Sequence, residues 1–258
     1  MEAFDHTPYE KELAALILQQ PAPGKHSARS AMRHIEKAWA LAEIDAEMAA
    51  FRAITAEEEA ATAVFHSLRR HRYPGSQKLN SRSHLHKNAL WPFVEAVAEL
   101  FAQADKELGL RPRIIVNAEG AKTKLELWWD ISKVSSQEGL AAAPQPPLNF
   151  SVTQESGALH DFGSQLDAVA KTKQRDSILV YLKHRANMRN RILYATAQGM
   201  PTVTALNAFL PHQRLVVRGL ITLFLLIDPY PQQQLFARQA TLAFLKMLDV
   251  LPGDVGFN

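Results

Sequence analysis

The chain is expected to fold as a mainly α-helical bundle carrying a small β-hairpin insertion, and three observations predict it. Apolar residues recur at steps of three and four through most of the 258 residues, one short stretch between 111 and 131 switches to β-rich runs, and Pro and Gly clusters separate the helical segments. With 47% hydrophobic residues the chain can bury one large core or two modest ones.

Helical periods place segments at about 8–20, 28–45, 47–70 and 83–109. Pro21, Pro23 and Gly24 punctuate the first pair, and "RYPGSQKLNS" is a loop. The segment "RPRIIVNAEGAKTKLELWWDI" has two short β-rich runs around "NAEG", which predicts a hairpin, and "AAAPQPPLNF" is a Pro-rich connector. Helices are then predicted at 165–198, 202–210, 212–227 and 231–250, with "DPYP" separating the last two. The organisation that follows is an N-terminal helical part over 1–110, the hairpin and connector over 111–152, and C-terminal helices over 153–258 that pack on the first part as one domain.

Composition excludes several classes. With no cysteine there is no disulfide scaffold, thiolate zinc site or cysteine nucleophile, which suits a reducing cytoplasm. The start, "MEAFDHTPYEKE", is polar and acidic, unlike a secretory signal. The longest apolar run, "GLITLFLLI", is short of the roughly 20 residues that span a bilayer. A cytoplasmic protein without a membrane segment is the expectation.

Net charge is only +3, but it is unevenly spread. From Ala60 to Val94 there is no Asp or Glu, while "KTKQRDSILVYLKHRANMRNR" holds seven Lys or Arg against Asp176 alone. Such blocks suit RNA or another polyanion, with Arg69, Arg70, Arg72, Lys87, Arg189 and Arg191 as the contacting residues; the plainer reading is solvated helix faces.

One acidic residue breaks the apolar pattern. On the helix over 47–70 the stripe Phe51, Ile54, Ala61, Phe65, Leu68 keeps its spacing only if Glu58 lies on the same face. A carboxylate there has to be paired, hydrogen-bonded or protonated. Arg185 fills the gap in the stripe Ile178, Tyr181, Met188, Ile192, so Glu58 and Arg185 are expected to form an internal ion pair. "TAEE" from Thr55 also reads as a capping box, in which case Glu58 caps a restarted helix. His86 extends the stripe Leu90, Phe93, Val97 backwards. If the two helices are antiparallel, His86 lies level with His66, Arg69 and Arg70, and Glu58 lies deeper, about 18 Å from its own helix end.

Arginine and histidine together suit phosphodiester cleavage. Arginine stabilises charge developing on phosphate and imidazole moves protons near neutral pH, so Arg82 and His86, four apart on one predicted helical face, are the candidate catalytic pair. No HExxH, ExxH, P-loop, G-x-S-x-G or G-x-G-x-x-G pattern occurs, and neither a metal site nor a cofactor is expected.

The stretch "FRAITAEEEAATAVFHSL", followed after a basic loop by "RSHLHKNALWPFVEAV", resembles the abortive-infection AbiV-type branch of the HEPN superfamily. The likeness covers about residues 47–105. It implies a HEPN-like all-α bundle, commonly a homodimer, in antiphage-defence, toxin or RNA-metabolism systems. Active HEPN ribonucleases carry an Arg separated from a His by four to six residues, acting across a dimer interface without metal. Here Arg82 and His86 have three residues between them, Arg29 and His34 have four, and Arg189 stands before Tyr194 where the family's pattern has histidine.

Two main readings follow. The first is a defence-linked or toxin-like protein acting on RNA as a metal-independent ribonuclease. The second is a non-catalytic helical module that holds a nucleic acid, nucleotide or partner protein of the same defence system. A toxin neutralised by a partner protein is a third.

Overall fold

A computed structural model describes residues 4–118, 123–135, 137–195, 199 and 202–249. It is mainly helical, with a small three-stranded antiparallel sheet. The first four helices are α1 (Pro8–Leu18), α2 (Gly24–Leu41), α3 (Ala46–Arg70) and α4 (His84–Leu108). Thr7 and Glu10 close a capping box on α1. Asp45 caps α3 by accepting from the Met48 N–H at 2.8 Å, and Ser83 caps α4 by accepting from the His86 N–H.

The helix α3 is central and buried on most of its circumference, with Ala49, Ala50, Ala53, Ala56, Ala60 and Ala61 at or near zero exposure. Small side chains let neighbouring helices approach closely on several sides, which is why a single apolar stripe describes it poorly. It runs unbroken through Thr55, so Glu58 is an interior helical residue and not part of a cap.

The α3–α4 connection departs from the expected antiparallel hairpin. The loop turns back along α3, with the Tyr73 N–H donating to the Leu68 carbonyl and Arg69 Nε donating to the Ser76 carbonyl. As a result α4 begins beside the middle of α3, level with Glu58. Buried Tyr73 and Leu79 anchor the returning loop.

Next come β1 (Arg111–Asn117) and β2 (Lys124–Asp130), paired antiparallel from Arg111↔Asp130 to Asn117↔Lys124. The expected hairpin gains a third strand, β3 (Ala141–Ala142), which follows the short α5 (Ser132–Ser135) and pairs with Trp129 and Asp130. Part of the "NAEG" turn lies outside the described residues. The Pro-rich connector is packed, not loose: Phe150 stacks on Phe236 at 4.7 Å and the Leu148 N–H donates to Gln234 Oε1.

The helix predicted over 165–198 is three helices: α6 (Gly163–Thr172), α7 (Ile178–Ala186) and α8 (Met188–Leu193). Gln174 takes positive φ and Ser177 caps α7, so the polar "KQRDS" run is a break. Conversely, the two helices predicted over 202–227 are one, α9 (Leu206–Ile227), continuous through Pro211. Proline removes one bond, to the carbonyl four residues back; Asn207 and Pro211 are both exposed, so water can satisfy that carbonyl. The last helix is α10 (Leu235–Asp249).

One apolar cluster joins residues from Leu13 in α1 to Leu248 in α10, and every long helix contributes. By length and mean hydropathy α9 could cross a membrane. In this bundle it packs against α3, and Val216, Leu220, Ile221 and Phe224 have no exposed surface.

Candidate functional site

The returning loop and the break before α7 bring four helices to the same level of α3. Glu57 and Glu58 are both buried there, at 1% and 4% exposure. Glu57 contacts Arg185 of α7, and Gln213 of α9 donates to the same carboxylate. Arg185 Nη1 also donates to the Tyr181 hydroxyl at 3.3 Å. Burial pushes the Glu57 carboxyl above its ordinary value, and Arg185 only partly offsets this. Burial opposes the charge on Arg185 too, but the Glu57 carboxylate outweighs it and holds the guanidinium more firmly protonated. The two directions conflict over where the proton sits. The guanidinium decides, since arginine does not give up its proton in proteins, and the pair is ionic.

Glu58 turns the other way. His84 Nδ1 lies 2.7 Å from Oε1, Lys87 Nζ 3.0 Å from Oε2, and Asn88 Nδ2 3.3 Å from Oε1. His84, Lys87 and Asn88 are spaced i, i+3, i+4 in the first turns of α4 and so share one helical face. Burial raises the Glu58 carboxyl, but the His84 hydrogen bond and the Lys87 charge together outweigh it and the net shift is downward. Glu59, half-buried beside them, is raised by burial, with Lys87 opposing and Glu58 adding to the rise.

On the far side of the imidazole, Arg189 Nη1 lies 3.1 Å from His84 Nε2. A guanidinium can only donate, so Nε2 accepts, the proton sits on Nδ1, and Nδ1–H donates to Glu58. The Arg189 guanidinium also lies over the Phe51 ring, 4.7 Å from its centroid. The His84 side chain is 43% exposed against 5% for Glu58, so the imidazole links a buried carboxylate to solvent.

Among the described residues no three His, Asp or Glu side chains converge to hold a metal ion. No family model matches the chain, and no curated protein or solved structure matches it.

The expected Glu58–Arg185 pair is replaced. Each residue is buried and charge-paired, but Arg185 contacts Glu57, and Glu58 takes His84 and Lys87 instead. Lys87, expected on an RNA-binding surface, is buried and its ammonium is spent on Glu58. Arg82 lies before the Ser83 cap, outside α4, so the shared helical face that linked it to His86 does not exist. Arg82 is exposed with its N–H on Asn80 Oδ1, while His86 Nδ1 accepts from the Asn80 N–H.

The basic residues divide between two places. Arg69 and Arg70 lie about 17 Å along α3 from Glu58, and Arg72 lies just beyond its end. Arg70 is paired with Asp228, and the carbonyl of exposed Arg72 accepts from Gln233, so this group ties α3 to the turn after α9. Arg189 and exposed Arg191 lie on α8 near His84, and Arg191 Nη1 reaches His184 Nε2 at 2.6 Å.

Three members of the site were missed in the sequence. Glu57 was hidden by the assumption of one buried face, although the alanine-rich run around it signals burial on several. His84 and Asn88 carry a legible signal, since with Lys87 they form a polar i, i+3, i+4 set at a helix start.

Proposed function

We propose that the protein cleaves RNA, with His84 as general base, Arg189 as the phosphate-binding cation and Glu58 as the residue that positions the imidazole. The observation that carries this reading is the chain of contacts from buried Glu58 through His84 to Arg189 at the solvent boundary. His84 Nε2 takes the proton of a 2′-hydroxyl, the 2′-oxygen attacks phosphorus, and the bond to the 5′-oxygen breaks. The products are a 2′,3′-cyclic phosphate and a 5′-hydroxyl that receives the proton. Arg189 stabilises charge on the non-bridging oxygens, and Glu58 favours the imidazolium that forms. The resemblance of residues 47–105 to AbiV-type HEPN proteins supports RNA as the substrate and a defence or toxin role. The same pairing moves the proposed catalytic residues from Arg82 and His86 to Arg189 and His84.

The test is incubation of purified protein with single-stranded RNA in EDTA. The expected result is cyclic-phosphate ends, a loss of about 100-fold or more in His84→Ala and Arg189→Ala, and near-normal cleavage in Arg82→Ala and His86→Ala. The reverse pattern overturns this assignment.

A second reading, a non-catalytic RNA-holding module, is favoured by one observation: both nitrogens of His84 are already engaged inside the protein. It predicts salt-sensitive RNA binding without cleavage, retained in His84→Ala.

A further inference from the structure

We propose that a second site, between α4, α9 and α10, binds a single-chain aliphatic carboxylate of medium length, its hydrocarbon in an apolar cavity and its carboxylate on Arg218.

The cavity has a volume of about 230 Å³ and an almost wholly apolar wall that includes Leu90, Phe93, Val97, Leu223, Ala240 and Phe244. The hydroxyls at its edge are already used: Thr222 donates to the Arg218 carbonyl and Thr241 to the Ala237 carbonyl. Such a space offers water almost nothing to bond with, and it exceeds the roughly 150 Å³ apolar cavity that admits benzene in an engineered protein. An apolar occupant would make dispersion contacts along this lining.

A cleft of about 410 Å³ adjoins it, sharing Gly219 and Thr222 in its wall and adding Tyr9, Trp91, Leu215 and Arg218. Gly219 lets the Trp91 ring pack directly on α9, because a Cβ there would stand 2.6 Å from it. Arg218, half-buried in this cleft, has no carboxylate partner among the described residues. A cation without a counter-ion, beside an apolar cavity, matches an anionic oxygen pair attached to a hydrocarbon chain. Arg218 lies four residues before Thr222 on α9, one helical turn away on the same face, and Thr222 lines both the cleft and the cavity. The cavity's volume suits one chain and not a diacyl lipid.

The experiment uses the full chain and octanoate, followed by calorimetry and thermal unfolding, with butyrate and octanol as comparison ligands. The expected result is one saturable octanoate site that raises Tm, with butyrate binding far more weakly. Arg218→Gln weakens octanoate by about tenfold and leaves octanol unchanged. Ala240→Phe, which fills the cavity, abolishes binding of both. Because Ala240→Phe could also disturb folding, 2-bromooctanoate provides an independent readout: it quenches Trp91 fluorescence in the wild type, and the quench disappears in Trp91→Phe. Non-saturable uptake, octanoate binding equal in wild type and Arg218→Gln, or no Trp91 quench overturns the proposal.

Discussion

Glu57 and Glu58 are neighbours on α3 yet serve different helices, Glu57 facing Arg185 of α7 and Glu58 facing His84 and Lys87 of α4. Consecutive helical residues point about 100° apart, so one turn of α3 fixes two partners at once. Only a helix surrounded on several sides can bury both.

Removing one partner of the Glu57 pair strands a buried charge. Arg185→Met is expected to lower stability by about 3–5 kcal/mol in urea unfolding, and Arg185→Met combined with Glu57→Leu should recover much of it, since replacing both charges removes the desolvation penalty. A double variant as unstable as the sum of its single variants would show that the two residues are not coupled.

Glu58 makes stability pH-dependent. Its folded pKa lies below the ordinary carboxylate value, so its contribution is fully present above the unfolded pKa and is lost as pH falls through the folded one. Glu57, raised by burial, works in the opposite sense. Between about pH 5 and pH 3, wild type is therefore expected to lose stability more steeply than Glu58→Gln. Parallel curves would contradict the lowered value.

Lys87 separates ion pairing from the proposed RNA contact. Its ammonium is buried against Glu58, so Lys87→Met is expected to cost about 3 kcal/mol of stability while leaving the salt dependence of RNA binding unchanged. Arg191→Ala, on an exposed residue, should do the converse: little change in unfolding and a shallower salt slope in a binding titration.

The Asp45 cap sets where α3 begins and so the height of both glutamates. Asp45→Ala is expected to cost about 1 kcal/mol, read as a lower urea midpoint at unchanged slope.

Residues with strong local signals were legible in the sequence. The central helices, the hairpin, the burial of Glu58 and the burial of Arg185 all follow from spacing. The pairing was not, because it depends on which way the 13-residue α3–α4 connection runs, and "RYPGSQKLNS" gives loop propensity but no direction. An antiparallel return would have put His86 near Arg69; the folded-back loop put His84 on Glu58 instead. Pro211 misled in the same way. It sits inside α9, as Pro92 sits inside α4, and nothing local distinguishes a proline that ends a helix from one that a helix runs through.

The positions of the site's members along the chain carry a consequence for synthesis on the ribosome. His84 and Lys87 lie 26 and 29 residues from Glu58, whereas Arg189 lies 105 from His84 and Arg185 lies 128 from Glu57. The acid–imidazole half can form while the chain is still emerging, and the guanidinium half arrives much later. A nascent or truncated chain ending before α7 thus has Glu58 and His84 in hand but lacks Arg189, so under the proposed reading a cell making this protein would meet cleavage only after nearly three-quarters of the chain had been translated.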